Sequence, residues 1–263
     1  MHTSLDQQVQ FTRLPKFFLL VFALSIPFWV LGGVTGLQVL PGLSVSALGA
    51  FSPLMAAAIL VFRDSDIAGV IALLKRSFDF TRISAKVWYV PLILLVPGLT
   101  VLSIGWLHFT GVALPAPRFA AVWWPVIFVA FFIGALGEEL GWSGYATDPL
   151  QKRFGALVAS LLLGVVWVAW HVIPYMQAHR SIQWMGWYAL FTVATRVVMV
   201  WLFNNTGKSI LGAAVFHAML NLCWFLLPNE YFDPRIAGMN MALVAVSVVI
   251  VWGPKTLARN RFA

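Results

Sequence analysis

Charged residues are scarce in this sequence. Only 10 % of its 263 residues are Asp, Glu, Lys or Arg, and nine of these are acidic. A soluble globular domain carries roughly 25 % charged residues because its surface faces water. Since 61 % of the residues are hydrophobic, the chain has too little polar surface for a water-soluble fold. The composition excludes a soluble protein and predicts an integral membrane protein.

Cysteine is nearly absent, and clusters of positive charge are absent. The single cysteine, Cys223, cannot form an intramolecular disulfide, and its apolar surroundings favour a small buried hydrophobe over a redox or nucleophilic group. The net charge is +8, but the basic residues lie at the ends of apolar runs and form no lysine-rich stripe with aromatic residues. Membrane topology explains this excess better than a nucleic-acid partner, which is not expected.

Long apolar runs dominate what is present. About 20 predominantly apolar residues cross a bilayer as a helix. Strand-like alternation is absent, and backbone exposed to lipid must satisfy its own hydrogen bonds. The chain is therefore predicted to be an all-α polytopic helical bundle that forms a single membrane domain over residues 1–263, with a short interfacial helix near 67–78. About eight transmembrane helices are expected, at 17–38, 44–62, 86–108, 120–143, 156–176, 184–203, 208–227 and 238–254.

Basic residues are divided unequally between the alternate ends of these runs. Because Lys and Arg concentrate on the cytoplasmic side of membrane proteins, a split of 13 to three predicts an even number of spans in the cell membrane with both termini in the cytoplasm. The 13 are Arg13, Lys16, Arg63, Lys75, Arg76, Arg82, Lys86, Lys152, Arg153, Lys208, Lys255, Arg259 and Arg261, and the three are Arg118, Arg180 and Arg235.

Two adjacent acids lie inside an apolar run. Seven of the nine acids fall in polar stretches, whereas Glu138 and Glu139 stand in the segment GALGEELGW. A charge near the bilayer centre costs about 2.5–3.5 kcal/mol. Two neighbouring carboxylates in a low dielectric do not both ionise freely, so at least one needs a proton or a cationic partner. The pair is a candidate general base.

Two further apolar runs carry histidines with a polar or aromatic residue one turn away. Trp167 and His171 are spaced i, i+4, and so are His217 and Asn221. A lone histidine of this kind is often a core residue bonded to a carbonyl, but three runs with polar groups at similar depth favour a shared site. Such a set suits hydrolysis, with a glutamate activating water and His217 and Asn221 stabilising an oxyanion. Zinc held by Glu138, His171 and His217 is the alternative, although no H-E-x-x-H spacing occurs.

These residues resemble the CAAX prenyl protease and bacteriocin-processing family of intramembrane proteases, called CPBP or Abi. The resemblance runs from about 120 to 227, the expected catalytic core, over the family's E-E-x-x-x-R, F-x-x-x-H and H-x-x-x-N/D motifs. It implies that Glu138 activates water with His171 and that Glu139 supports it. It also implies that His217 and Asn221 form the oxyanion site. No cofactor is expected, because three zinc ligands from three separate runs without an H-E-x-x-H spacing are a weak signal.

Two positions depart from the family pattern. Trp167 replaces the phenylalanine, and Ser143 replaces the arginine of the first motif. The second change removes the cation expected beside a buried acidic pair. We hypothesise that Arg196, the one basic residue inside a run, supplies that cation instead.

The resemblance implies an endopeptidase that acts on a peptide or protein substrate, prenylated or not, at the lipid bilayer. We expect cleavage near the cytoplasmic leaflet. Two alternatives stay open: a non-catalytic immunity or scaffolding protein, which the missing arginine favours, and a proton-coupled transporter that uses the glutamates and histidines as a relay. The absence of internal repeats weighs against the transporter. The sequence does not indicate an oligomeric state.

Overall fold

The fold is an assembly of long helices. The computed structural model describes residues 11–113, 116–228 and 232–258. Within these ranges the α-helices are α1 (Leu14–Thr35), α2 (Ser52–Lys75), α3 (Tyr89–Phe109), α4 (Trp124–Gly141), α5 (Asp148–Phe154), α6 (Ala156–Gln177), α7 (Ile182–Asn205), α8 (Ile210–Leu226) and α9 (Pro234–Trp252). A π-helical segment, Trp142–Thr147, joins α4 to α5, and a small antiparallel hairpin pairs β1 (Gln38–Leu40) with β2 (Leu43–Ser44). The 3₁₀ segments are Val45–Phe51, Arg76–Phe78, Phe80–Arg82, Lys86–Trp88 and Ala121–Trp123.

The helices have the lengths that membrane spans require. Over the described residues, seven helical segments are long and apolar enough to cross a bilayer, and α8 adds a shorter apolar helix of 17 residues. The predicted all-α polytopic membrane bundle is confirmed. Large apolar side chains on α1, α3 and α9 remain exposed, as expected for surfaces that face lipid, whereas α7 is the most buried of the long helices.

The second predicted span is followed by a sharp bend. Ser65 and Asp66 have non-helical backbone angles, and Asp66 adopts φ 52°. The polar sequence Arg63–Asp64–Ser65–Asp66 ends the apolar run, so the chain resumes as a short helix up to Lys75. A short helix was predicted near 67–78, and the structure confirms a helix there.

We call one end of the bundle the terminal end, because α1 begins there and α9 finishes there. An ion pair between Arg13 and Asp64 joins the start of α1 to the bend in α2. Asn205, at the end of α7, donates through Nδ2 to the carbonyl oxygen of Leu257 at 2.7 Å. These contacts anchor the first described stretch of the chain to α2 and the last one to α7 at the terminal end. Arg259 and Arg261, which the orientation argument used, lie outside the described residues.

The opposite face is the hairpin end, where α1, α6 and α8 finish and α9 begins. Gln177 donates through Nε2 to the carbonyl oxygen of Trp29 at 2.7 Å and accepts from Ser46 Oγ at 2.7 Å. The backbone N–H of Arg118 donates to the carbonyl oxygen of Leu226 at 2.9 Å. The 3₁₀ segment after the hairpin is thereby held against the ends of α1 and α6, and the segment before α4 is held against the end of α8.

Candidate active site

Helix α4 carries the acidic pair and packs very closely on its neighbours. A Cβ added at Gly141 would lie 2.5 Å from the carbonyl oxygen of Pro53, and one added at Gly137 would lie 2.8 Å from a carbonyl oxygen of the 3₁₀ segment before α2. Only glycine permits this approach, and the two glycines are four residues apart, as in close helix contacts in membranes. The contact fixes the depth and rotation of α4, and with them the positions of Glu138 and Glu139.

Glu139 is fully buried and surrounded by partners. Its Oε2 lies 3.0 Å from Nη1 of Arg196, which is also fully buried. His217 contacts Glu139 Oε1 through Nδ1 at 3.0 Å, and the Ser143 hydroxyl donates to Oε2. The guanidinium of Arg196 also stacks over the Trp167 ring, 4.2 Å from its centroid. The structure confirms that Arg196 contacts the acidic pair, as hypothesised, through Glu139. Ser143, at the position of the family arginine, donates a hydrogen bond to the same carboxylate.

Glu138 has different surroundings. Its Oε2 accepts from the indole N–H of Trp167 at 2.9 Å and from that of Trp142 at 3.3 Å. Its Oε1 lies 3.9 Å from His217 Nε2 and has no hydrogen bond among the described residues. No arginine or lysine of the described chain forms an ion pair with this carboxylate. Glu138 is therefore held in place by two neutral donors on one oxygen, which leaves the other oxygen available.

His171 and Asn221 complete the predicted set. Nδ1 of His171 lies 2.8 Å from the carbonyl oxygen of Trp167, so that nitrogen carries the donated proton and Nε2 points elsewhere. The described residues give Asn221 no side-chain hydrogen bond, so its amide is available. The structure brings both residues to the same cavity as Glu138, but shows no direct bond between His171 and Glu138.

A cavity of about 700 Å³ joins these groups. Four of the five predicted site residues line it, and Glu139 lies behind its wall. The walls are mainly apolar and aromatic, and Glu138 is the one charged residue among the described lining. The predicted residues at the cavity are Glu138, His171, His217 and Asn221, and other lining residues include Trp29, Gln38, Phe131, Trp167, Tyr175, Gln177, Tyr188, Thr192, Thr195 and Trp224.

Two residues that the sequence reasoning missed belong to this site. Trp142 donates to Glu138 from the π-helical segment, one turn beyond the acid. Thr195 lines the cavity with a fully buried hydroxyl that has no hydrogen-bond partner in the described structure. The only available signal was the spacing: Trp142 follows Glu138 by four residues, and Thr195 precedes Arg196.

A metal centre would need several ligands arranged around one point. Over residues 11–113, 116–228 and 232–258, no group of three His, Cys, Asp or Glu side chains has that arrangement. The three donors of the zinc alternative, Glu138, His171 and His217, therefore line one cavity but do not form a ligand cluster. The effect of a chelator on activity distinguishes a zinc mechanism from a metal-free one.

The similarity of this chain to known proteins includes the residues of the site. Residues 119–223 match a family model described as type II CAAX prenyl endopeptidase Rce1-like. The matched segment contains all five predicted site residues. The chain is also 27 % identical over 272 residues to CAAX prenyl protease 2 of Methanococcus maripaludis, an alignment that covers 92 % of this chain and 94 % of the relative. The similarity extends over nearly the whole molecule.

Proposed function

The chain belongs to the CPBP family of CAAX-type intramembrane endopeptidases, and from this premise we propose a glutamate-activated hydrolysis of peptide bonds within the membrane. It is a multi-pass membrane protein, and its substrate is a peptide or a protein. The proposal assigns the catalytic core to about 120–227 of a single membrane domain, 1–263. It assigns the chemistry to Glu138, His171, His217 and Asn221, with Glu139 in support.

Glu138 is the proposed base. Its free Oε1 takes a proton from a water in the cavity, the water oxygen bonds to the peptide carbonyl carbon, and the carbonyl becomes an oxyanion. Glu138 then returns the proton to the amide nitrogen as the C–N bond breaks. His171 shares the cavity, and its Nε2 orients the water beside Glu138. This sequence consumes one water and releases a carboxylate and an amine.

His217 and Asn221 are the proposed oxyanion donors. Nδ1 of His217 lies 3.0 Å from Glu139 Oε1, which holds the ring with its Nε2 edge toward the cavity, where the proposal has Nε2–H donate to the oxyanion. Asn221, one helical turn further along α8, supplies a second donor. Donors held in place before the reaction stabilise developing negative charge without reorganising.

The single observation that carries this proposal is the contrast between the two glutamates. Glu139 is neutralised by Arg196 and hydrogen-bonded on both oxygens, so neither oxygen is free to take a proton from water. Glu138 lines the cavity with one free oxygen and no cation bonded to it. Position and bonding therefore favour Glu138 as the residue that reacts.

The proposed substrate is a peptide or protein, with or without a lipid. The name of the relative refers to prenylated CAAX proteins, and a lipidated substrate suits the apolar cavity walls. The proposed chemistry also acts on a peptide without a lipid. No metal or other cofactor is required.

Both termini lie in the cytoplasm, because 11 basic residues of the described chain lie at the terminal end and three at the hairpin end.

Reconstitution tests the proposal. Wild type, Glu138→Gln and the matched control Asp148→Asn are placed in liposomes with a peptide library, and products are identified by mass spectrometry. Asp148 pairs with Lys208 at the terminal end, outside the cavity, so its conversion to an amide preserves cleavage. We expect cutting by wild type and by Asp148→Asn, and none by Glu138→Gln.

The other outcomes separate the alternatives. Cleavage that survives Glu138→Gln would refute the proposed base. No cleavage by any of the three proteins would favour the non-catalytic immunity or scaffolding protein, and proton-coupled uptake of a solute would favour the transporter. Activity lost to a chelator and restored by zinc would replace the metal-free mechanism with the zinc alternative.

A further inference from the structure

The connection between α2 and α3 contacts two elements that carry the site. Residues 76–82, which we call the linker, touch the start of α8 and the π-helical segment that follows α4. Helix α8 carries His217 and Asn221, and α4 carries the two glutamates. No residue of the linker is among the described lining of the cavity. The linker therefore lies outside the site but contacts two of the elements that support it.

Asp79 of the linker caps α8. Its Oδ2 accepts from the backbone N–H of Ile210 at 3.1 Å, and its Oδ1 accepts from that of Leu211 at 3.2 Å. The hydroxyl of Ser209 also donates to Oδ1, at 2.6 Å. These two N–H groups have no acceptor within the helix, and a carboxylate stabilises the positive end of the helix dipole. Asp79, whose side chain is 8 % exposed, thereby fixes the first turn of α8 from 130 residues away.

Arg76 of the linker joins the start of α8 to the end of α4. Its Nη2 donates to the carbonyl oxygen of Lys208 at 2.9 Å, and its Nη1 donates to that of Gly144 at 3.3 Å. Gly144 lies in the π-helical segment, directly after Ser143. A Cβ added at Gly144 would lie 2.6 Å from Cδ1 of Ile210. One guanidinium therefore bridges the two elements at the point where they are already in close contact.

The same two elements meet again at the site. His217 follows Ile210 by seven residues, which is about 10 Å along the axis of α8. Its Nδ1 lies 3.0 Å from Oε1 of Glu139 on α4. The position of α8 against α4 is thus set at two levels, by the linker at the first turn and by the contact between His217 and Glu139. A shift of the first turn would move His217 relative to Glu139, because a helix moves as a unit.

We propose that Asp79 and Arg76 are positioning residues for the hydrolysis. They hold α8 in register with α4, and thereby hold the oxyanion donors of α8 beside the carbonyl that the water attacks. This inference rests on the proposed function. Neither residue touches the substrate, and both act through the placement of α8. A catalytic group misplaced by about 1 Å can cost about 100-fold in rate, so contacts outside the cavity can control the reaction.

Helix α9 provides a matched control. Asp233 caps α9, and its Oδ1 accepts from the backbone N–H of Arg235 at 2.8 Å. Each capping carboxylate also lies near an arginine: Asp233 is 2.7 Å from Arg235, and Asp79 is 3.7 Å from Arg82. No residue of α9 is among the described lining of the cavity. Asp233→Asn therefore removes a capping charge from a helix without site residues, whereas Asp79→Asn removes one from the helix that carries the oxyanion donors.

Nuclear magnetic resonance tests the placement of His217 without requiring catalysis. Wild type, Asp79→Asn and Asp233→Asn are prepared in detergent with ¹⁵N-labelled histidine, and the imidazole resonances are assigned by substituting single histidines. We expect the resonances of His217 to move in Asp79→Asn, because its contact with Glu139 changes, and to keep their wild-type positions in Asp233→Asn. Unchanged resonances of His217 in Asp79→Asn would overturn the proposal.

Kinetics test the consequence for the reaction. The same three proteins are placed in liposomes with a peptide that wild type cuts, at a temperature where each is folded. We expect kcat to fall about tenfold in Asp79→Asn, with KM within about twofold of wild type because the cavity lining is unchanged. Asp233→Asn should keep both wild-type values, since a loss of stability alone does not reach the site.

A second variant keeps the test open if Asp79→Asn does not fold. Arg76→Lys retains the positive charge, but one ammonium does not span both carbonyls as the planar guanidinium does, so we expect a smaller fall in kcat, again at constant KM. Equal kcat in the linker variant and Asp233→Asn would overturn the proposal, and so would a raised KM at constant kcat. If His217 moves but wild type cuts no peptide, the proposed function fails and the positioning of α8 by the linker stands.

Discussion

At the scale of single residues, two neighbouring glutamates have opposite surroundings. Glu139 is enclosed by Arg196, His217 and Ser143, whereas Glu138 is held by two indoles at the edge of a cavity. Adjacent residues on a helix point about 100° apart, so one carboxylate can face the bundle interior while the other faces the cavity. The adjacency itself produces the division of roles.

The ion pair between Glu139 and Arg196 provides a prediction about stability. Arg196→Leu leaves a fully buried carboxylate without its cation, so the free energy of unfolding falls by about 3 kcal/mol. Thermal unfolding in detergent measures the loss. Adding Ser143→Arg to Arg196→Leu restores the cation from the position where the family carries it, and part of the stability returns. An Arg196→Leu protein as stable and as active as wild type would contradict the assignment.

Much of the site was predictable at this scale because charge is so rare in the chain. Glu138, Glu139, His171, His217 and Asn221 were found from polar residues in apolar runs, and the structure brings four of them to one cavity. The missing arginine of the first motif predicts a cation elsewhere, and Arg196 is the one basic residue inside an apolar run. The role of Trp142 could not be predicted, because 13 tryptophans occur in the sequence and only helix rotation decides which indole reaches Glu138.

At the scale of elements, helix α4 is positioned by close backbone contact. Gly141 meets Pro53 at the start of α2, and Gly137 meets the preceding 3₁₀ segment. The same elements form one wall of the cavity, and Trp142 and Ser143 follow directly in the π-helical segment. A shift of α4 would therefore move both carboxylates and two of their hydrogen-bond partners together.

Gly141→Ala tests this contact. A methyl group 2.5 Å from a backbone carbonyl forces α2 and α4 apart, so we expect a lower unfolding temperature, equivalent to roughly 1–3 kcal/mol, and reduced cleavage. Gly105→Ala is the matched control, since it lies in α3 with no atom within 4 Å of the added methyl group. Equal behaviour of the two variants would show that the close approach does not position α4.

The elements themselves were predictable to different degrees. The runs long enough to span a bilayer correspond to helices, and the polar break after Phe62 predicted the short helix that ends near Lys75. The hairpin Gln38–Ser44 was not predicted, because its strands have only three and two residues and lie between two apolar runs. Leu40 and Leu43 of the hairpin pack against the apolar cluster of α4 and α8, so this short pairing depends on tertiary contacts and not on local pattern.

At the scale of the whole molecule, the described basic residues are concentrated at one end of the bundle. The charge count was readable from the sequence once the spans were placed, and the structure confirms that the described basic residues of each group lie together. The cavity could not be predicted from the sequence, because it depends on how α1, α4, α6, α7 and α8 pack.

The central claim is that Glu138 reacts and Glu139 supports. The most direct test measures the cleavage rate and the thermal unfolding of Glu138→Gln and Glu139→Gln in the same preparations. In Glu138→Gln the amide oxygen still accepts from both indoles, so we predict unfolding within about 1 kcal/mol of wild type and a fall in kcat of at least about 100-fold. For Glu139→Gln we predict a loss of about 3 kcal/mol in stability. Cleavage that survives Glu138→Gln, or a Glu139→Gln protein as stable as wild type, would contradict the account.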